Sequence, residues 1–193
     1  LSPWLGRQFG HNMAKTCPCH NNTNKEKPMP DISETDMINR ARQLLKRLGK
    51  ATLSTIDRNT GYPYGSLVLM ARCADDMPLL LLSDLADHTQ NILADSRVSL
   101  TLDGTGSPET GHKAMTGERL TIMGKIEKID KDKMISAFIS THPEAELYAG
   151  FTDFNCYRVI PERFHLIAGF GRIMWLDADR VMAAEAKPDH AGA

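Results

Sequence analysis

Cysteine is scarce in this sequence of 193 residues, with only Cys17, Cys19, Cys73 and Cys156. Two lie near the N-terminus and two at isolated apolar positions, which excludes a disulfide framework. The segment TCPCHNN offers Cys17, Cys19 and His20. A Cys-x-Cys pair without a second ligand pair falls short of a tetrahedral zinc site, so it is read as polar tail. Net charge is missing as well, since 23 Lys and Arg against 24 Asp and Glu leave -1. Nucleic-acid binding draws its affinity from a basic face, so no such partner is expected. No apolar run approaches the roughly 18 residues that span a bilayer, and no apolar leader opens the sequence. A cytoplasmic protein with no membrane partner is the expectation. Alternating βαβ crossovers are also absent, and GFGR (169–172) does not make a G-x-G-x-x-G turn, which argues against a Rossmann-type sheet.

What remains is ordinary globular material, 41% hydrophobic and 24% charged,. Residues 1–30 are rich in Asn, Pro, Lys and His without apolar period and are expected to be an extension with little structure of its own. The domain proper is expected over 31–176, followed by a C-terminal helix and tail over 177–193. Ser33 and Asp36 resemble a capping box, and Met37, Ala41, Leu44 and Leu48 then recur at helical spacing until Gly49,. From Ala51 the pattern turns to strands at 51–56, 64–71, 79–83, 98–102 and 119–129, with Gly124 a bulge or bend. Helices are expected at about 87–94 and 132–141, the latter ended by His142-Pro143. A hairpin is expected at 155–160 and 163–168, turning at Pro161-Glu162, before IMWL (173–176). Residues 103–118 carry four glycines and no apolar period, as a lid, a binding loop or a disordered segment would. Six or seven short antiparallel strands with flanking helices predict a mainly β, α+β fold built on a β-barrel.

The junction LLLLSDLADHTQN (79–91) has two readings. Asp87 and Gln90 make a capping-box pair at a helix start. Ser83, His88 and Thr89 stand at a strand-to-helix turn of the kind that holds phosphate.

Six segments in order, GYPYGSLVLMA, LLLLSDLADHTQNI, DSRVSLTLDG, ERLTIMGKIEKI, HPEAELYAGFTDF and YRVIPERFHLIAGFGR, carry a resemblance. Together they span about 50–175. They resemble the FMN-binding split barrel of the pyridoxamine 5'-phosphate oxidase family, and within it the branch containing bacterial heme-utilisation proteins. The resemblance implies a six- to seven-stranded antiparallel split barrel with FMN at a homodimer interface. It would place Ser66, Leu67 and Val68 along the flavin, Ser83, His88 and Thr89 at the phosphate, and Arg119 at the polar edge of the ring. Arg172 is a further candidate for neutralising phosphate. The family's oxidase has an Arg and a Lys where this chain has His88 and Thr89. Its substrate-binding Lys aligns with Ala71, and its substrate-gripping Arg and His align with Ile173 and Trp175. Oxidation of pyridoxamine phosphate is therefore not expected.

The resemblance leaves an FMN-dependent oxidoreductase acting on a small-molecule substrate or electron donor, no catalytic residue being assigned. Its alternatives are a heme-binding or heme-degrading protein on the same barrel, and a non-catalytic dimeric binding module. In the heme case His190 would be the axial ligand, with Arg119 and Asp153 orienting the ligand or pairing with a propionate. Elsewhere, His165 is read as a packed or edge histidine, and Tyr148, Phe151 and Trp175 as core.

Overall fold

The computed structural model describes residues 33–47, 49–105, 117–169 and 172–183. The expected extension over 1–30, most of the glycine-rich loop and His190 lie outside them. The first helix, α1 (Glu34–Arg47), begins with the expected box. The Asp36 amide donates to Ser33 Oγ at 3.1 Å, and the Ser33 hydroxyl donates to the Asp36 carboxylate at 2.8 Å. Met37, Ile38, Ala41, Leu44 and Leu45 form its buried stripe,.

An antiparallel sheet of eight strands follows: β1 (Lys50–Ile56), β2 (Pro63–Leu69), β3 (Ala71–Arg72), β4 (Pro78–Ser83), β5 (Arg97–Asp103), β6 (Glu118–Ile129), β7 (Phe154–Ala168) and β8 (Ile173–Asp177). Their order is β2-β1-β5-β6-β7-β4-β3, with β8 added to β7. The two ends of that path are joined by Met70 alone. The run 63–72 pairs with β1 in its first part and with β4 in its last. The Met70 amide donates to the Gly49 carbonyl at 2.8 Å across this seam. The sheet therefore curls almost shut, and the single strand expected over 64–71 is two.

The helices are α2 (Asp87–Ala94), α3 (Lys131–Thr141), the short α4 (Glu146–Ala149) after a 3-10 turn, and α5 (Ala178–Met182). Arg42 ties α5 to α1, donating to the carbonyls of Val181, Arg180 and Ala183 at 2.8–2.9 Å. None of the described helices is long and apolar enough to cross a membrane.

The four consecutive leucines have a simple cause. Leu80 and Leu82 point into the main core with Leu53, Leu100, Ile122 and Phe164. Leu79 and Leu81 face a second cluster with Phe138, Ala149 and Cys156, beneath α3 and α4. Strand β4 is covered on both faces, so the alternation of a half-exposed strand vanishes. Each buried leucine contributes roughly 1.5–3 kcal/mol.

The hairpin expected at Pro161-Glu162 is not formed. Strand β7 runs unbroken through it, with Met123 opposite Arg163 and Gly124 opposite Pro161, so that Glu162 is the extra residue of a bulge. Proline is tolerated there because the bulge interrupts the ladder. A side chain on Gly124 would bring its Cβ within 2.1 Å of the Ile160 carbonyl oxygen. Gly49 is also no left-handed helix end, since Gly61 and Gly169 are the described glycines with positive φ. It makes room instead for His142, whose ring would lie 2.9 Å from an added Cβ.

Candidate functional site

The β4–α2 corner is built by side chains that mostly satisfy one another. The Ser83 hydroxyl donates to the Asp153 carboxylate at 2.6 Å and accepts from the Leu85 amide at 3.1 Å. The Asp84 amide donates to the Asp153 carbonyl at 2.7 Å. The Asn155 amide group donates to the Asp84 carboxylate at 2.9 Å. The expected Asp87–Gln90 box is not made. Ala86 occupies the N-cap without a side-chain cap, and Gln90 reaches back past it to the Asp84 carbonyl at 2.7 Å. Asp87 faces Arg58 at 3.5 Å instead.

The three residues proposed for phosphate differ in availability. Ser83 has its proton committed to a carboxylate. Burial holds the half-buried His88 below the ordinary histidine value, against an opposing pull from Asp87, so its neutral form is favoured,. Thr89 is fully buried, and its hydroxyl has no hydrogen-bond partner. Deeper in, burial and then the Asp84 carboxylate push the Tyr157 hydroxyl up to about 12. Asn91 pins α2 to the barrel, donating to Thr55 Oγ1 at 3.1 Å and accepting from the Arg58 amide at 3.0 Å. The corner thus holds Asp84, Asp87 and Asp153, with Asn155, Arg58 and Ser83 respectively as their partners.

On β2 the three candidates divide between two faces. Ser66 and Val68 stand opposite the buried Leu53 and Ala51, while Leu67 stands opposite the exposed Thr52 and is itself 75% exposed. Side chains alternate along a strand, so these three cannot line one surface together. The Ser66 hydroxyl is buried without a hydrogen-bond partner.

The outer face of the sheet carries a continuous row across six strands: Leu67, Thr52, Thr101, Thr121, His165 and Trp175. All six are exposed or half-buried. The neighbouring row brings Met123, Arg163 and Asp177 onto the same face, and the row on the other side brings Asp103, Arg119, Ile167 and Ile173. The Trp175 indole lies between two β7 side chains. The His165 ring is 4.4 Å from it, tilted by 31°, and the Arg163 guanidinium lies 4.6 Å from its centre. Trp175 is 48% exposed, so it is not the core residue expected, and neither is Phe151 at 57%. Asp103 is held below the usual carboxylate range, first by the Thr105 hydroxyl and backbone and less by Arg119.

Arg119 and Arg172 come to the same end of the sheet, where the Ala168 amide donates to the Arg172 carbonyl at 2.8 Å. Ser83, His88 and Thr89 share the β4–α2 corner, and Ser66 lies on β2, which packs against both of those elements. Arg163, His165 and Trp175 were not among the site residues expected from sequence. The alternation of buried Phe164, Leu166 and Ala168 places the intervening residues outward and was the available signal. Among the described residues no cluster of three or more His, Cys, Asp or Glu side chains is arranged to hold a metal ion.

A family model described as CREG, beta-barrel matches residues 32–182. Over 121 residues the chain is 35% identical to the Arabidopsis thaliana protein named Non-canonical heme oxygenase HOZ, chloroplastic. That overlap covers 61% of this chain and 36% of the Arabidopsis protein, so the chain spans about a third of that relative's length. The heme-binding protein from Mycobacterium smegmatis superposes with a TM-score of 0.69 at 24% identity, over 81% of this chain and 64% of the other. A pyridoxinephosphate oxidase family protein from Clostridium acetobutylicum, related to general stress protein 26, superposes with a TM-score of 0.60 at 11% identity. It is matched over 77% of this chain and 99% of the other. At such identities the structural likeness speaks for the fold, which is the split barrel that the sequence resemblance implies.

Proposed function

This chain belongs to the CREG β-barrel family, and on that premise we propose that it binds heme, working as a homodimer in heme degradation. The observation that carries the reading is the chemistry of the outer sheet face. Arg163 supplies positive charge for a heme propionate, and Trp175, Ile173 and Met123 supply apolar and aromatic surface for its ring,. Thr52, Thr101 and Thr121 are the small residues of the same row. The name of the Arabidopsis relative supports heme as a substrate to be opened rather than only carried. The second copy is supported by β2, an edge strand with Tyr62, Tyr64 and Leu67 exposed beside it. Apolar side chains grouped on a sheet edge are ordinarily covered by another chain.

A second reading is FMN binding, with the chain acting as an oxidoreductase. It is favoured by the Ser66 and Thr89 hydroxyls, both buried without hydrogen-bond partners and both assigned to the flavin by the family resemblance. The acidic corner weighs against it. Parallel titration of the full chain with hemin and with FMN tests the two. The heme reading expects a saturable Soret change with hemin and no flavin retained through gel filtration. Retained FMN without a Soret change overturns it.

A further inference from the structure

We propose that His165 is the iron ligand for a heme on the outer sheet face, and that Arg163 receives one of its propionates. The inference rests on the heme reading and names the residues that would realise it. Three histidines fall among the described residues, and two are committed elsewhere. His142 is buried, with Nε2 at 2.9 Å from the Met70 carbonyl and Nδ1 at 3.7 Å from Glu144. His88 is next to Asp87 at the start of α2, and burial disfavours its charged form.

His165 is engaged by Trp175 rather than by a carbonyl, and the carboxylates of its face, Asp177 and Asp103, stand opposite Arg163 and Arg119. It stands on β7 in the middle of the outward row, half-buried, with Thr121 beside it on β6 and Trp175 beside it on β8. An imidazole is a common ligand for heme iron. The indole at 4.4 Å limits the directions the imidazole can take. The same indole holds the Arg163 guanidinium two residues away on the same face. One aromatic side chain thus contacts both an imidazole and a cation on the same face. Small Thr101 and Thr121 leave the approach open for a ring system.

The test uses the full chain, hemin and four variants, with gel filtration and circular dichroism to verify assembly and folding. The wild type is expected to give the spectrum of a histidine-ligated heme. His165→Ala is expected to lose that spectrum and to bind hemin at least about tenfold more weakly, with added imidazole restoring the band. His190→Ala is expected to leave it unchanged, and Arg163→Ala to weaken binding without shifting it. His165→Tyr keeps a ring against Trp175 and is expected to show the charge-transfer band of a phenolate on ferric iron. A His165→Ala spectrum like the wild type's, or His165→Tyr without a phenolate band, overturns this assignment while the heme reading stands. A wild type that binds no hemin overturns both.

Discussion

The Ser83 hydroxyl and the Asp153 carboxylate meet at 2.6 Å across 70 residues of sequence, joining the end of β4 to the start of β7. The bond decides what the corner can recognise, because a hydroxyl that donates to a carboxylate has no proton left for a phosphate. It also contributes to folding. A hydrogen bond to a charged group contributes about 1.5–3 kcal/mol, and partial exposure places this one toward the lower end. Ser83→Ala is expected to lower the urea midpoint by that measure and to leave hemin affinity unchanged. A loss of cofactor binding at unchanged stability would assign Ser83 to the ligand instead.

Gly124 faces the bulge in β7 at a distance that admits no side chain. The obstacle is backbone, which cannot rotate away as a flexible side chain can. Gly124→Ala is expected to cost about 1–3 kcal/mol, the ordinary penalty for overpacking. Thermal or urea unfolding reads it, and an unchanged midpoint would show that the bulge relaxes freely.

His88 gives stability a pH dependence of defined sign. Its folded value is depressed by burial, so the unfolded chain takes up this proton at a higher pH than the folded chain does. The His88 contribution to stability is then fully present above about pH 6.5, the unperturbed histidine value. It falls as pH drops below that toward the folded value. His88→Gln is expected to lose less stability than the wild type over that acid interval, as read from urea midpoints. An equal loss in both proteins contradicts the burial effect.

Leu67 is the most exposed large apolar residue of the edge strand. A charge there should be incompatible with a second copy and harmless to the folded protomer. Leu67→Asp is expected to yield a monomer by light scattering with an unchanged circular dichroism spectrum, against a dimeric wild type. A wild-type monomer would remove the homodimer from the account.

Much of this architecture was legible in the sequence because local patterns and global fold agree. The Ser33–Asp36 box, the amphipathic α1 and the β-branched strands each say locally what the barrel needs. The leucine run was less transparent, since only tertiary packing shows that β4 is covered on both faces. Pro161-Glu162 read as a turn because proline ordinarily ends a strand, and that reading cut β7 in two. With β7 cut, the cross-strand meeting of His165 with Trp175 was beyond reach, although each residue's outward direction followed from simple alternation. The β4–α2 corner shows the complementary limit. Its residue types were evident, but the commitment of Ser83 to a distant Asp153 depends on the sheet order.

The most direct test of the central claim is a spectrophotometric titration of the full chain with hemin, run beside an identical titration with FMN. The account predicts a Soret band that saturates stoichiometrically with hemin, and flavin absorbance that passes through gel filtration apart from the protein. Flavin that stays with the protein while hemin produces no saturable band would contradict it.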